Sequence, residues 1–266
     1  MAVGLLASLF LCGPARDARA GAVERPEAAA WLLEADGKVL SRGNQNKRLP
    51  QASLTKIMTA LVALEKANPE EVVTVSREAA SETGTRLGLK KGDRIKVVEL
   101  VAGALIASGN DAARALAEHV GGTEEKFVAM MNARAEELKL GDTHFANASG
   151  HDDPANYSSA SDLALLTKVA MKIPAFAGIV GSTALSIKTV DGRIFKVENK
   201  NELMGRYPGA IGVKSGTTPG AGKSLVALAA RDGHWALLVL LGAKERWYTS
   251  VRMLDQAFAE IGAGAK

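Results

Sequence analysis

Ser53-Leu54-Thr55-Lys56, running on into Ile57-Met58-Thr59-Ala60-Leu61-Val62, is the stretch on which the reading of this chain turns. Apolar residues at Leu54, Ile57, Met58, Leu61, Val62 and Leu64 recur at helical intervals. A helix is therefore expected from about Ser53 to Ala67, after Pro50 and before Asn68-Pro69. Residues three apart on a helix share a face, so Ser53 and Lys56 point into one space. Ser53 stands at the helix start, where free amide hydrogens and the positive dipole end favour an anion. A serine hydroxyl is a poor nucleophile until a base takes its proton, and a lysine can do so only when neutral. Burial and a second nearby cation both push a lysine in that direction.

Two further segments complete the set. Ser108-Gly109-Asn110 lies mid-chain and Lys214-Ser215-Gly216 near the end. Taken singly, each is commonplace: a cap beside a solvated charge, a helix break, a strand end. Taken together they supply a nucleophile, two amines, a second hydroxyl, an amide, and a glycine that lets a ligand lie close to backbone. Their contexts also fit, being a helix start, an inter-helix loop and a strand before a hairpin. The set suits acyl transfer through a serine ester, with lysine in place of the usual histidine base.

Outward from these motifs, strands cluster at the two ends of the chain. Ala28 to Leu33 reads as a buried strand, with Asp36-Gly37 as a hairpin turn and Lys38-Val39-Leu40 beginning the return. Ala184 to Val190 with Arg193 to Glu198 is a second hairpin, and Lys223 to Ala230 with His234 to Leu241 a third. Between them the chain is helical. Val97 to Val120 forms two helices broken at Ser108-Gly109-Asn110, and Glu124 to Leu138 is amphipathic. Ser161 to Met171 starts at Ser161 and Asp162 and is limited by Pro174; Glu245 to Ile261 closes the chain. This order predicts a mixed α/β fold of the α+β kind. One antiparallel sheet draws on both termini and is flanked by helices, and the helical middle is an insertion. The expected division is a sheet subdomain of residues 27–68 and 183–263 and a helical subdomain of residues 69–182.

With 266 residues, 47% hydrophobic and 23% charged, the chain has ample material for a core. A net charge of +4 without any block of basic residues gives no case for nucleic acid. Ala2 to Leu11 has the length of a signal-peptide core and is too short to span a bilayer. Ala18-Arg19-Ala20 then places small residues where a signal peptidase reads, so residues 1–20 are expected to be a signal peptide cleaved before Gly21. Export to the periplasm or cell-wall space follows. No later apolar run is long enough for a transmembrane segment. Cys12 is the only cysteine, so the mature chain would hold no disulfide or cysteine metal site. His119, His144, His151 and His234 fit no helical zinc spacing and read as loop and surface residues; no metal or cofactor is expected.

The chain resembles the low-molecular-mass penicillin-binding proteins, the serine D-alanyl-D-alanine carboxypeptidase and endopeptidase family. The likeness is carried by Ala52 to Thr59, Ala107 to Ala112, Phe145 to Gly150, Tyr157 to Asp162 and Gly212 to Thr218, and extends over about Ala28 to Ile261. It implies a β-lactamase/transpeptidase-like fold, with peptidoglycan stem peptides as substrates and β-lactam antibiotics as covalent inhibitors. By position, Ser53 would be the acylated nucleophile and Lys56 its base. Ser108 would pass a proton to the leaving amine, and Asn110 would hold Lys56 and bond the substrate backbone. Lys214 would set the electrostatics. The backbone N–H groups of Ser53 and Thr217 would form the oxyanion hole. Ser215, beside Gly216, would receive the substrate carboxylate, with Arg246 as a further carboxylate partner unless it is only an exposed charge at a helix start. Ser215 departs from the family's usual threonine but keeps the hydroxyl.

The resemblance implies removal of a terminal D-Ala from stem peptides. The alternative is cleavage of cross-links between stems, whose family branch resembles this chain in ending soon after the last helix. A β-lactamase reading is disfavoured, since no Glu-x-x-Leu-Asn lies between Asp111 and Lys214, and Glu198 with Asn201 falls too near Lys214. A non-hydrolytic β-lactam sensor is the remaining class.

Overall fold

The computed structural model describes residues 25–264, so the expected signal peptide lies outside the described residues. In chain order the elements are β1 (Ala30–Ala35), β2 (Lys38–Gly43), β3 (Leu49–Pro50), α1 (Lys56–Lys66), β4 (Val72–Thr74), α2 (Arg77–Ala80) and β5 (Arg94–Lys96). Then come α3 (Val97–Leu105), α4 (Asn110–Gly121), α5 (Glu124–Glu137), β6 (Tyr157–Ser158), α6 (Ala160–Ala170) and α7 (Pro174–Val180). The chain ends with β7 (Ala184–Lys188), β8 (Ile194–Glu198), β9 (Ala210–Thr218), β10 (Gly222–Arg231), β11 (His234–Ala243) and α8 (Arg246–Gly264). Ser53 lies in a short 3-10 turn, Ala52–Thr55, that feeds α1.

The main sheet has the order β2-β1-β11-β10-β9 and is antiparallel throughout, so the two ends of the chain meet at the β1–β11 pair. Alternation along each strand sorts its side chains between two cores. Trp31, Leu33, Leu238 and Leu240 pack with Met253, Leu254 and Ala257 of α8. Leu32, Leu237, Val239 and Leu241 join the larger core with Leu54, Ile57 and Leu61. β11 is thus covered on both faces, which is why Trp235 to Leu241 reads as an unbroken apolar run rather than an alternation. The tight returns at Asp36-Gly37 and Asp232-Gly233 have both residues at positive φ (47° and 80°, 51° and 82°), the geometry of the favoured two-residue hairpin.

Two boundaries differ from expectation for local reasons. Ser159 caps α6, its side chain accepting from the Asp162 N–H, so the helix begins just before Ser161. Pro174 does not merely end α6; it opens α7 from the first helical turn, where a missing N–H costs nothing. The β7–β8 hairpin forms its own two-stranded sheet, and Thr189 bridges to Ile95 of β5 rather than to the main sheet. α1 packs among α3, α4, α5 and α6, at the centre of the helical layer. No single described helix is long and apolar enough to cross a membrane.

One buried charge ties the helical layer to the cleft. Asp111, fully buried in the first turn of α4, accepts from the backbone N–H groups of Leu87 (2.8 Å), Gly88 (2.8 Å) and Leu89 (3.0 Å). Its neighbour Asn110 donates its backbone N–H to Thr85 O at 2.7 Å. The 83–89 loop is thereby laid over the α3–α4 junction. Asp111→Ala strands these donors and is expected to cost roughly 3 kcal/mol; urea denaturation of the two proteins measures it.

Candidate active site

The 3-10 turn does more than an α-helix would to bring Ser53 and Lys56 together, because residues three apart are superposed in it. Lys56 Nζ lies 3.1 Å from Ser53 Oγ. The same nitrogen donates to Asn110 Oδ1 at 2.7 Å and to the Ser149 carbonyl at 2.5 Å. Asn110 is oriented unambiguously, since its Nδ2 donates to Thr83 O at 2.7 Å. Lys56 has no exposed surface, and its pKa is held well below the usual 10.5 by that burial first and by the charge of Lys214 second. A neutral amine has two hydrogens and one lone pair. Two carbonyl oxygens, which can only accept, take the hydrogens, so the lone pair is left facing the Ser53 hydroxyl.

Lys214 and Ser108 form the opposite wall. Lys214 Nζ donates to Ser108 Oγ at 3.0 Å and to its neighbour's carbonyl, Ser215 O, at 2.8 Å. Burial, then Arg246 and Lys200, lower its pKa to about 7. Ser108 sits at φ 59°, a strained backbone for a serine, between α3 and α4. Lys200 reaches this wall because its backbone N–H donates to Ile106 O at 3.1 Å.

β9 is the edge strand, and its register decides which backbone groups face the cleft. Ser215 O accepts from Lys214 Nζ, so the backbone groups of Ser215 turn away from β10. By the two-residue period of a strand, the Thr217 N–H turns the same way, beside the Ser53 turn. Gly216 makes the approach possible: a Cβ there would stand 2.9 Å from Ser53 N and 3.0 Å from Ala52 Cβ. Gly150, at φ 87°, does the same from the other side, where a Cβ would meet Ala52 O at 2.0 Å. Ala52 itself is at φ 50°. The Ser53 turn is thus clamped between two glycines.

The sequence-predicted residues converge, with two adjustments. Ser215 Oγ donates to Lys200 O at 3.1 Å, so its hydroxyl is already engaged within the protein. Arg246 is not a free charge at a helix start: it donates to Gly216 O and Thr217 Oγ1, both at 2.7 Å, and stacks on Trp247. Sequence reasoning missed Ser149, whose carbonyl holds Lys56, because a backbone acceptor carries no side-chain signal. It also set His151 and Asp152 aside as loop residues. His151 Nε2 lies 3.0 Å from Glu82 Oε2 and 3.4 Å from Asn110 Nδ2. Asp152 accepts from Thr218 Oγ1 at 2.5 Å and from Gly220 N at 2.9 Å, joining the 147–152 loop to the β9–β10 turn. Among the described residues, no three His, Cys, Asp or Glu gather as a metal site.

A serine paired with a buried lysine stands beside a second lysine–serine wall and an edge strand, on a helix-flanked antiparallel sheet, an arrangement suited to acyl transfer. The model of the D-alanyl-D-alanine carboxypeptidase family, Peptidase_S11, matches residues 19–245, and the chain belongs to that family. The D-alanyl-D-alanine carboxypeptidase DacF of Bacillus subtilis is 39% identical over 87% of this chain and 62% of the relative. DacB2 of Mycobacterium tuberculosis is 35% identical over 90% and 86%. The crystal structure of a Streptomyces DD-transpeptidase superposes with a TM-score of 0.83 at 31% identity, covering 89% of this chain and 98% of that one. The chain spans between 58% and 67% of the length of four longer curated relatives that it matches.

The Lys214 shift has a consequence for stability. Its folded-state pKa, about 7, lies below the unfolded value near 10.5, so between these the unfolded chain binds more protons. Folding stability therefore rises with pH across that window, by at most about 1.4 kcal/mol per unit. Urea midpoints at pH 7 and pH 9 should show the parent gaining on Lys214→Met; parallel midpoints at both pH values would contradict the buried amine.

Proposed function

We propose that the protein is a serine D-Ala-D-Ala carboxypeptidase that trims peptidoglycan stem peptides through an acyl-Ser53 intermediate. The reading is carried by the Lys56 amine, whose hydrogens are committed to Asn110 Oδ1 and Ser149 O while its lone pair faces Ser53 Oγ. In this mechanism Lys56 takes the Ser53 proton as Oγ attacks the carbonyl of the penultimate D-Ala. The oxyanion is met by the N–H groups of Ser53 and Thr217, each such donor typically contributing about 3 kcal/mol to the transition state. The C–N bond then breaks. Ser108, hydrogen-bonded to Lys214, hands a proton to the departing amine, and Lys214 restores it. A water then attacks the ester: its proton passes through Ser108 to Lys214, and the Lys56 ammonium returns its proton to Ser53 Oγ, which restores both amines and frees the acid product. The substrate's terminal carboxylate is drawn to the cationic end formed by Lys214, Lys200 and Arg246, with Ser215 as its hydroxyl partner. No step calls for a metal or cofactor.

A β-lactam ring places a strained amide in the same position, so opening it leaves a penicilloyl ester on Ser53. Without the glutamate that class A β-lactamases place between the second and third motifs, this ester is long-lived. Residues 1–20 as a signal peptide, and action in the periplasm or cell-wall space, belong to the same reading.

Incubation with penicillin should raise the intact mass by one whole penicillin, mapped to the peptide holding Ser53. A stem pentapeptide should release D-Ala. Ser53→Ala abolishes both, and Lys56→Met slows acylation by about 10²–10⁴-fold. The acylation rate climbs with pH as Lys56 deprotonates and levels off well below 10.5. Release of amine from a cross-linked dimer alone, with pentapeptide untouched, would replace carboxypeptidase by endopeptidase action; rapid turnover of penicillin would replace it by β-lactamase action.

A further inference from the structure

Asn110 has two amide hydrogens. One goes to Thr83 O at 2.7 Å. The other faces His151 Nε2 at 3.4 Å, close enough to be captured if that nitrogen carries a lone pair. It does not do so while Glu82 is in place. Glu82 Oε2 stands 3.0 Å from the same Nε2, and a carboxylate can only accept, so Nε2 must be the N–H whether the ring is neutral or an imidazolium. Gly84, at φ 74°, brings the backbone of the Glu82 loop against this group: a Cβ there would lie 2.9 Å from Asn110 Nδ2 and 3.8 Å from His151 Cε1.

We propose that Glu82 and His151 form a positioning pair for acylation: Glu82 fixes His151 Nε2 as a donor, so the imidazole cannot capture the second Asn110 hydrogen, which stays available for an amide carbonyl of the substrate. The proposal rests on the acyl-serine reading above and adds two residues that touch neither Ser53 nor Lys56 in the hydrogen-bond network. Without Glu82 the imidazole is free to turn its lone pair on Asn110 and compete with substrate. The charge of Glu82 acts in the opposite sense, since it holds the Lys56 pKa up. Its removal by charge alone would leave more neutral base and faster acylation, so a slower variant cannot be an electrostatic effect on Lys56.

The second-order rate of acylation by a fluorescent penicillin reads the effect in four proteins. Glu82→Ala should be slower than the parent by about tenfold, the loss of one amide hydrogen bond. Glu82→Gln, whose side-chain carbonyl can still accept from Nε2–H, should recover most of the rate. Adding His151→Leu to Glu82→Ala should also recover it, because the competitor is gone. A pair that only braces the loop predicts the reverse, a double variant as slow as Glu82→Ala or slower, and that result overturns the proposal. So does Glu82→Ala acylating at the parent rate. Urea midpoints establish that each variant is folded, and Glu82→Leu replaces Glu82→Ala should the smaller side chain unfold the loop. A parent that never labels refutes the acyl-serine reading itself; a parent that labels, with the rates in another order, refutes only the pair.

Discussion

An amine taken wholly out of water is the constraint around which the rest of this structure is arranged. A lysine ammonium is expensive to bury, and Lys56 is buried with Lys214 near enough to disfavour its charge further. Giving up the proton relieves both costs. What remains is a neutral amine, ready to take a proton in a place where water cannot compete for it. The two carbonyls that flank it convert a freely rotating amine into a directed one. Neither carbonyl could be replaced by a donor without turning the lone pair away from Ser53.

Holding that geometry requires several distant backbones to meet at close range. The Ala52–Thr55 turn is pressed from one side by β9 and from the other by the 149–150 turn, and glycine at 216 and 150 is what permits the contact. Ala52 and Ser108 hold positive φ angles that an isolated chain would leave. They persist because their surroundings over-determine them. Ser108 lies between the packed helices α3 and α4, and the Asp111 carboxylate pins the neighbouring loop through three amides. The strain sits at Ser108 itself and at Ala52, next to Ser53, and ordinary packing elsewhere supports it.

Much of the fold was legible because its signals are local. The Asp36-Gly37 and Asp232-Gly233 turns, the helical spacing of Leu54, Ile57 and Leu61, and the break at Ser108-Gly109-Asn110 all depend on neighbours in sequence. Where reading failed, a non-local or backbone partner was involved. Pro174 opens a helix instead of only closing one, and β7–β8 pairs apart from the main sheet. The Ser149 carbonyl and the His151 imidazole enter the cleft through loops whose course no periodicity reveals. Arg246 could be read from sequence as a carboxylate partner or as an exposed charge, and its bonds to Gly216 O and Thr217 Oγ1 remove only the second reading.

The sequence by itself determined the candidate reactive groups, the order in which they come along the chain, and the elements that carry them, because residue chemistry and short-range periodicity are written residue by residue. Only the tertiary structure decided that Lys56 is dry, which oxygens take its hydrogens, and which edge of β9 faces Ser53. Those outcomes belong to groups far apart in the chain, Lys56 with Asn110 and Ser149, or Ser53 with Gly216. Burial and hydrogen-bond direction arise only once such groups are packed together.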